Sequence, residues 1–171
     1  MKSTERKLIS ELMRNSRRSD RELAKVVGVS QPTVSRMIKK LENDGYIKEY
    51  TIVPDFRKLG YHLMSLIFVK LKQGLSSDKI QEARRIAQET LKTGAHEVVM
   101  LERGIGLGYD GVFVTLHKDY ASYLKLKKWF RQFSFLELSK LDAFLVNLDD
   151  KVRYRPLTFS TLAKHALSIE E

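Results

Sequence analysis

The stretch SDRELAKVVGVSQPTVSRMIKKLENDGY, residues 19–46, decides the fold of the first third of this chain. Ser19 followed three residues later by Glu22 is a capping box, in which each side chain satisfies the other residue's backbone N–H. Leu23, Ala24, Val26 and Val27 then form the buried face of a helix that Gly28 ends, because glycine enters the left-handed region without a Cβ clash. Val29 fills the turn. Ser30 caps the next helix, and Pro32 falls in its first turn, where a missing N–H costs little. Val34, Met37, Ile38 and Leu41 follow at i, i+3, i+4 and i+7 as one buried stripe, and Asn43-Asp44-Gly45 stops it. Upstream, Leu8, Ile9, Leu12 and Met13 mark one face of a first helix, with Ser3 or Thr4 as its cap. Downstream, Tyr46 to Val53 is β-branched and aromatic enough for a strand, closed by Pro54.

Two helices joined through a Gly-apolar-Ser turn are the sequence form of a helix-turn-helix. In that motif the second helix enters the DNA major groove and its N-terminal residues reach base edges. Gln31, Thr33, Ser35 and Arg36 occupy the outward positions suited to bases or phosphates, and Lys39 and Lys40 lie further along, where phosphates are in reach. Glutamine pairs bidentately with adenine and arginine with guanine. Arg17, Arg18 and Arg21 cluster at the start of the preceding helix, in position for the DNA backbone. A three-helix bundle with a solvated basic face carries the same apolar stripe. Charge favours the first reading: 31 Lys+Arg against 21 Asp+Glu leaves +10, and residues 1–60 hold 14 against 8. Such a surplus suits a polyanionic partner.

After residue 62 the pattern reads strand, helix, strand, strand, helix, strand. Leu63 to Leu71 is the first strand. Ser76 or Ser77 caps a helix that buries Ile80, Ala83, Ile86, Ala87 and Leu91. Val98 to Glu102 and Val112 to His117 are strands joined by a glycine-rich connection. Asp119 caps a second helix reaching Phe133, and Leu138 to Leu148 is the last strand. A four-stranded antiparallel sheet with both helices on one face, the ferredoxin-like plan, accommodates this order. The first strand is apolar on both faces, with Leu63, Ile67, Val69 and Leu71 on one and Met64, Leu66 and Phe68 on the other. An uncovered apolar sheet face is an interaction surface, so self-association is expected, unless the C-terminal tail covers it.

Residues 9–61, with ELAKVVGVSQPTVSRMIKKLENDGYI and YTIVPDFRKLGY as hallmark segments, resemble the N-terminal domain of the leucine-responsive/AsnC regulators. GYDGVFVTLHKDY is similar to that family's Gly-x-Asp segment. The resemblance implies an α+β fold: a winged helix-turn-helix, then a ferredoxin-like βαββαβ antiparallel-sheet domain. The boundaries expected are a DNA-binding domain at 1–54, a connector at 55–61, a regulatory and oligomerisation domain at 62–149 and a tail at 150–171. Leu162, Ala163, Ala166 and Leu167 form a helical stripe in that tail, so it is expected to add a docking helix. The function implied is a sequence-specific, DNA-binding transcriptional regulator. It forms a homodimer, or a tetramer or octamer, on double-stranded DNA and responds to a small effector such as an amino acid. Gly108, Tyr109 and Asp110 are the candidate effector residues, with Asp110 for an ammonium group and Tyr109 as a packing wall. Family members often carry two consecutive arginines in the recognition helix, whereas here Met37 follows Arg36.

Other classes find little support. The chain has no cysteine, which excludes disulfides, thiolate metal sites and cysteine nucleophiles within it. His62, His96, His117 and His165 show no i, i+4 pair, so neither a metal nor another cofactor is expected, and no nucleophile elbow signals an enzyme. Gly104, Gly106 and Gly108 lead into a strand rather than a helix N-terminus, unlike a phosphate loop. Some haem-pathway decarboxylases resemble the same two-domain regulators without binding DNA. That alternative needs a basic cavity from His62, His96, His117 and Arg103. No apolar run is long enough to span a membrane and the N-terminus does not read as a signal peptide, so a cytoplasmic location is expected.

Overall fold

A computed structural model describes residues 1–93, 97–152 and 157–167. The chain divides into two compact units, Met1–Val53 with Tyr154–Glu171, and Pro54–Arg153.

The first unit contains α1 (Ser3–Arg14), α2 (Asp20–Val27) and α3 (Gln31–Asn43). Leu8, Leu23, Val34 and Leu41 are fully buried at their junction. The expected cap of α1 is displaced by one residue. Lys2 is the N-cap, and its N–H donates to the Glu5 carboxylate at 2.7 Å rather than finding a hydroxyl. In α2, Val26 is exposed, because the helix turns it away from the core that Leu23, Ala24 and Val27 fill.

Two elements differ from expectation. Tyr46–Val53 forms no strand: the Tyr46 and Ile47 N–H groups donate to Leu41 O at 2.9 and 3.2 Å, and the Tyr50 hydroxyl donates to Glu42 at 3.0 Å. The segment thus bonds back to α3, and without a second strand beside it a ladder cannot form. Among its described residues the tail makes no α-helix. Ser160–Ala163 and His165–Leu167 are short 3-10 turns. Ala163 is fully buried, and its carbonyl accepts from the buried Ser10 hydroxyl of α1 at 2.7 Å. Among the described residues, the buried Ala163 and its bond to Ser10 tie the tail to α1.

The second unit is a four-stranded antiparallel sheet in the order β2-β3-β1-β4. Its elements are β1 (Leu63–Val69), α4 (Ser77–Thr93), β2 (Val98–Gly106), β3 (Tyr109–His117), α5 (Tyr120–Phe130) and β4 (Asp142–Asn147). Ile67, Val69 and Phe113 pack on Tyr123, Leu126 and Phe130 of α5, with the Phe113 and Phe130 rings edge-to-face at 4.9 Å. Asp119 caps α5 by accepting the Ser122 N–H at 2.7 Å. The expected last strand is shorter, since Leu138–Lys140 is a 3-10 turn.

The glycine-rich connection is mostly ladder rather than loop. β2 and β3 continue to a Gly106–Tyr109 pair, closed by Leu107 and Gly108 at φ 50° and 80°. Positive φ at both central residues is the hairpin turn whose twist matches the strands. The α4 stripe also departs from expectation. Ile80, Ala83, Ile86 and Ala87 are half-buried and Leu91 is exposed, because the helix does not close on the sheet.

Two substitutions separate the units. Phe130→Ala should cost about 3–5 kcal/mol in the sheet unit, and Ser10→Ala, which orphans the Ala163 carbonyl, about 1–3 kcal/mol in the helical unit. Urea unfolding followed by residue-resolved NMR should place each loss in its own unit.

Candidate nucleic-acid interface

The recognition helix is aimed by a short chain of local causes. Ser19 accepts the Glu22 N–H at 3.3 Å, and the Glu22 carboxylate accepts the Ser19 N–H at 2.7 Å, so α2 starts at a defined residue. Gly28 ends it at φ 83°, where its N–H donates to Ala24 O at 2.9 Å. Ser30 occupies the N-cap of α3 without a side-chain bond to the backbone; its hydroxyl pairs with Thr33 Oγ1 at 2.8 Å. Val34 and Leu41, two turns apart, are fully buried. The opposite face of α3 therefore presents Gln31, Ser35, Arg36, Lys39 and Lys40, all exposed, with Thr33 half-buried.

Those side chains are not equally available. Ser35 donates to the Asp20 carboxylate and so ties α3 to the first turn of α2. Arg36 Nε donates to Pro32 O at 3.3 Å, along its own helix. Lys40 Nζ lies 3.0 Å from Glu5 and 3.0 Å from Asp44, making it a brace between α3 and α1. Arg18 pairs with the buried Glu11 carboxylate, which also takes Arg14 at 3.1 Å. Gln31, Lys39, Arg17 and Arg21 are exposed and make no ion pair among the described residues.

Glu5, Glu11 and Asp20 also belong to this interface, as partners of its cations and of Ser35. Arg14 following Glu11 by three positions was a visible signal. Glu5 with Lys40 and Asp20 with Ser35 had none, since only the folded bundle brings them together. The Lys2 N–H and the Lys40 ammonium hold the Glu5 carboxyl below its ordinary range, against the opposing effect of burial.

The effector candidates lie in the sheet unit. Asp110 accepts the Leu71 N–H at 2.8 Å and pairs with Lys70 Nζ at 3.1 Å. Burial pushes its carboxyl up, but these two donors outweigh it and leave the carboxyl below its usual range. The Tyr109 hydroxyl donates to Asp142 and its ring packs on Phe68 at 5.5 Å, while Gly108 forms the turn.

The histidines do not converge on Arg103. His62 pairs with Asp149 at 2.9 Å, and His117 Nε2 lies 3.0 Å from Ser65 and 2.8 Å from Thr115 in a buried polar cluster. Neither lines the cavity that Arg103 borders, and His96 lies outside the described residues. Among the described residues no helix is long and apolar enough to cross a membrane.

Known proteins share this arrangement. Residues 1–48 match a family described as winged helix-turn-helix DNA-binding. An uncharacterized HTH-type transcriptional regulator of Pyrococcus furiosus, PF2053, is 32% identical over 120 residues, which cover 70% of this chain and 74% of that one. The chain belongs to the leucine-responsive/AsnC family of DNA-binding transcriptional regulators. A second regulator of the same organism, PF1734, is 40% identical over 82 residues, and the match spans 48% of this chain and 53% of that regulator. An AsnC-family regulator from Agrobacterium tumefaciens superposes with a TM-score of 0.71 at 22% identity, over 90% of this chain and 94% of that one. That likeness extends the shared fold through the sheet unit.

The carboxyl of Glu5 is lowered in the fold, so its stabilisation is full above the ordinary carboxylate range and is lost as pH falls through it. Thermal unfolding of the helical unit should therefore weaken between about pH 5 and about pH 3. Glu5→Gln, which keeps an acceptor for Lys2, should flatten that slope. An unchanged slope would assign the acid sensitivity elsewhere.

Proposed function

We propose that this regulator reads duplex DNA with the N-terminal half of α3, assembles through the open face of its sheet and responds to a small effector. The observation that carries the reading is the exposed face of α3, held outward by the burial of Val34 and Leu41. Gln31 and Arg36 are the base readers, and Thr33 and Ser35 line their approach. Lys39 holds phosphate. Arg17 and Arg21 contact the backbone beside it. Lys40 and Arg18 serve first as internal braces, and their charge reaches DNA only as part of the local field.

Self-association is supported by the sheet face opposite the helices. Leu66 pairs across the ladder with Val114 and Phe144, which puts all three on one face together with Met64, Phe68 and Val112. Phe144 is 65% exposed. A two-fold dimer reading two half-sites is the ordinary arrangement for helix-turn-helix proteins. The effector reading rests on Gly108, Tyr109 and Asp110, where an incoming ammonium group replaces that of Lys70. The reading is of a non-enzymatic protein, located in the cytoplasm with its DNA.

Arg36→Ala should cost about 1–3 kcal/mol and relax specificity, whereas Lys39→Ala should weaken all sequences alike and lower the salt slope. Lys40→Ala should reduce thermal stability more than it reduces DNA affinity. Unchanged gel-shift affinity in a combined Gln31, Arg36 and Lys39 alanine variant would remove α3 from the interface. Light scattering should give at least twice the 19.8 kDa chain mass, falling to the chain mass in Phe144→Asp. Calorimetry with an amino-acid panel on wild type and Asp110→Asn tests the effector: equal affinity in both, or no binding, rejects Asp110.

A further inference from the structure

The helix-covered face of the sheet is not filled by its helices. Of the residues of α4, only Thr90 is buried. Between α4, the sheet and α5 lies a cavity of about 540 Å³. That is the size of a small-molecule site. Its walls are apolar: Ile80 and Ala87 from α4, Val69 and Phe113 from the sheet, Trp129 and Phe130 from α5. Ala83 and Ala87 on the facing side of α4 would let the helix come closer. An apolar cavity left empty forgoes the dispersion contacts its lining would otherwise make.

Arginines and acids share the mouth of the cavity. Arg84 of α4 and Arg103 of β2 both border it, both are exposed, and neither makes an ion pair among the described residues. Asp110 also borders it, but Lys70 and the Leu71 N–H already occupy its carboxylate. Glu102 is the remaining acid. Two guanidiniums against one unpaired carboxylate favour an anion, and the planar guanidinium fork matches a carboxylate.

We propose that this cavity binds a small apolar carboxylic acid, with its aromatic or branched body between α4 and the sheet and its carboxylate between Arg84 and Arg103. The site is inside the fold of one chain and does not depend on the DNA-binding or effector readings above. A ligand there fills the space between α4 and the sheet and stabilises the domain by its binding free energy.

The full-length chain provides its own reporter, because Trp129 is its one tryptophan and lines the cavity. Titration with 3-phenylpropionate, without DNA, should change Trp129 emission saturably. The uncharged 3-phenylpropanamide should bind about tenfold more weakly, and so should the acid to an Arg84→Ala/Arg103→Ala variant. Ala87→Phe fills the cavity and should abolish binding while leaving the sheet intact by circular dichroism. Should Ala87→Phe fold poorly, the arginine pair, at exposed positions, decides alone. No saturable binding to wild type by fluorescence and calorimetry overturns the proposal. So does equal affinity for acid and amide, or undiminished binding by the arginine variant.

Discussion

Burial of Val34 and Leu41 is the constraint on which the DNA-facing surface depends. They lie seven positions apart, two helical turns, and both are fully buried against Leu8 and Leu23. That seats α3 with one rotational setting. Its polar residues then point outward, and Ser35 and Lys40 meet partners on α2 and α1. The left-handed Gly28 and the capped start of α2 set the direction from which α3 departs. A helix that could roll on its neighbours would present a different set of side chains to a groove, so packing precedes recognition.

Charge in this unit does two kinds of work. Part of the basic surplus is spent inside the bundle: Glu5 takes Lys40, and Glu11 takes Arg14 and Arg18. Both acids are buried while their partners are partly exposed. A buried carboxylate without its cation would carry a large desolvation penalty. These pairs therefore restrain which bases are left for DNA. Of the remaining cations, Arg36 and Lys39 lie on the α3 face, and Arg17 and Arg21 at the start of α2.

The sheet unit shows two unequal faces. α5 supplies Tyr123, Leu126 and Phe130 to a close-packed core, whereas α4 stands off and leaves an apolar space beside it. The outer face has no covering element of its own among the described residues, although Met64, Leu66 and Phe68 alternate onto it. The hairpin that carries Asp110 closes in a two-residue turn, and the Asp110 carboxylate accepts the Leu71 N–H just beyond β1. That bond ties the segment after β1 to the hairpin.

By itself the sequence determined the helix-turn-helix, its caps, the βαββαβ order and the outward positions of α3. Each follows from patterns within a few residues: a capping box, a helix-ending glycine, an apolar stripe of one period. Tertiary structure alone decided the rest. Tyr46–Val53 has strand propensity, yet it bonds back to α3, since a ladder needs a partner that local sequence does not supply. Leu162, Ala163, Ala166 and Leu167 have helical spacing, yet they fall in two tight 3-10 turns, with Ala163 buried and bonded to the Ser10 hydroxyl. Lys40 and Arg18 have acid partners on other elements that the sequence does not reveal, because charge spacing shows where a cation sits but not which acid reaches it. Their partners are 35 and 7 residues away, and only packing brings such groups within hydrogen-bonding distance.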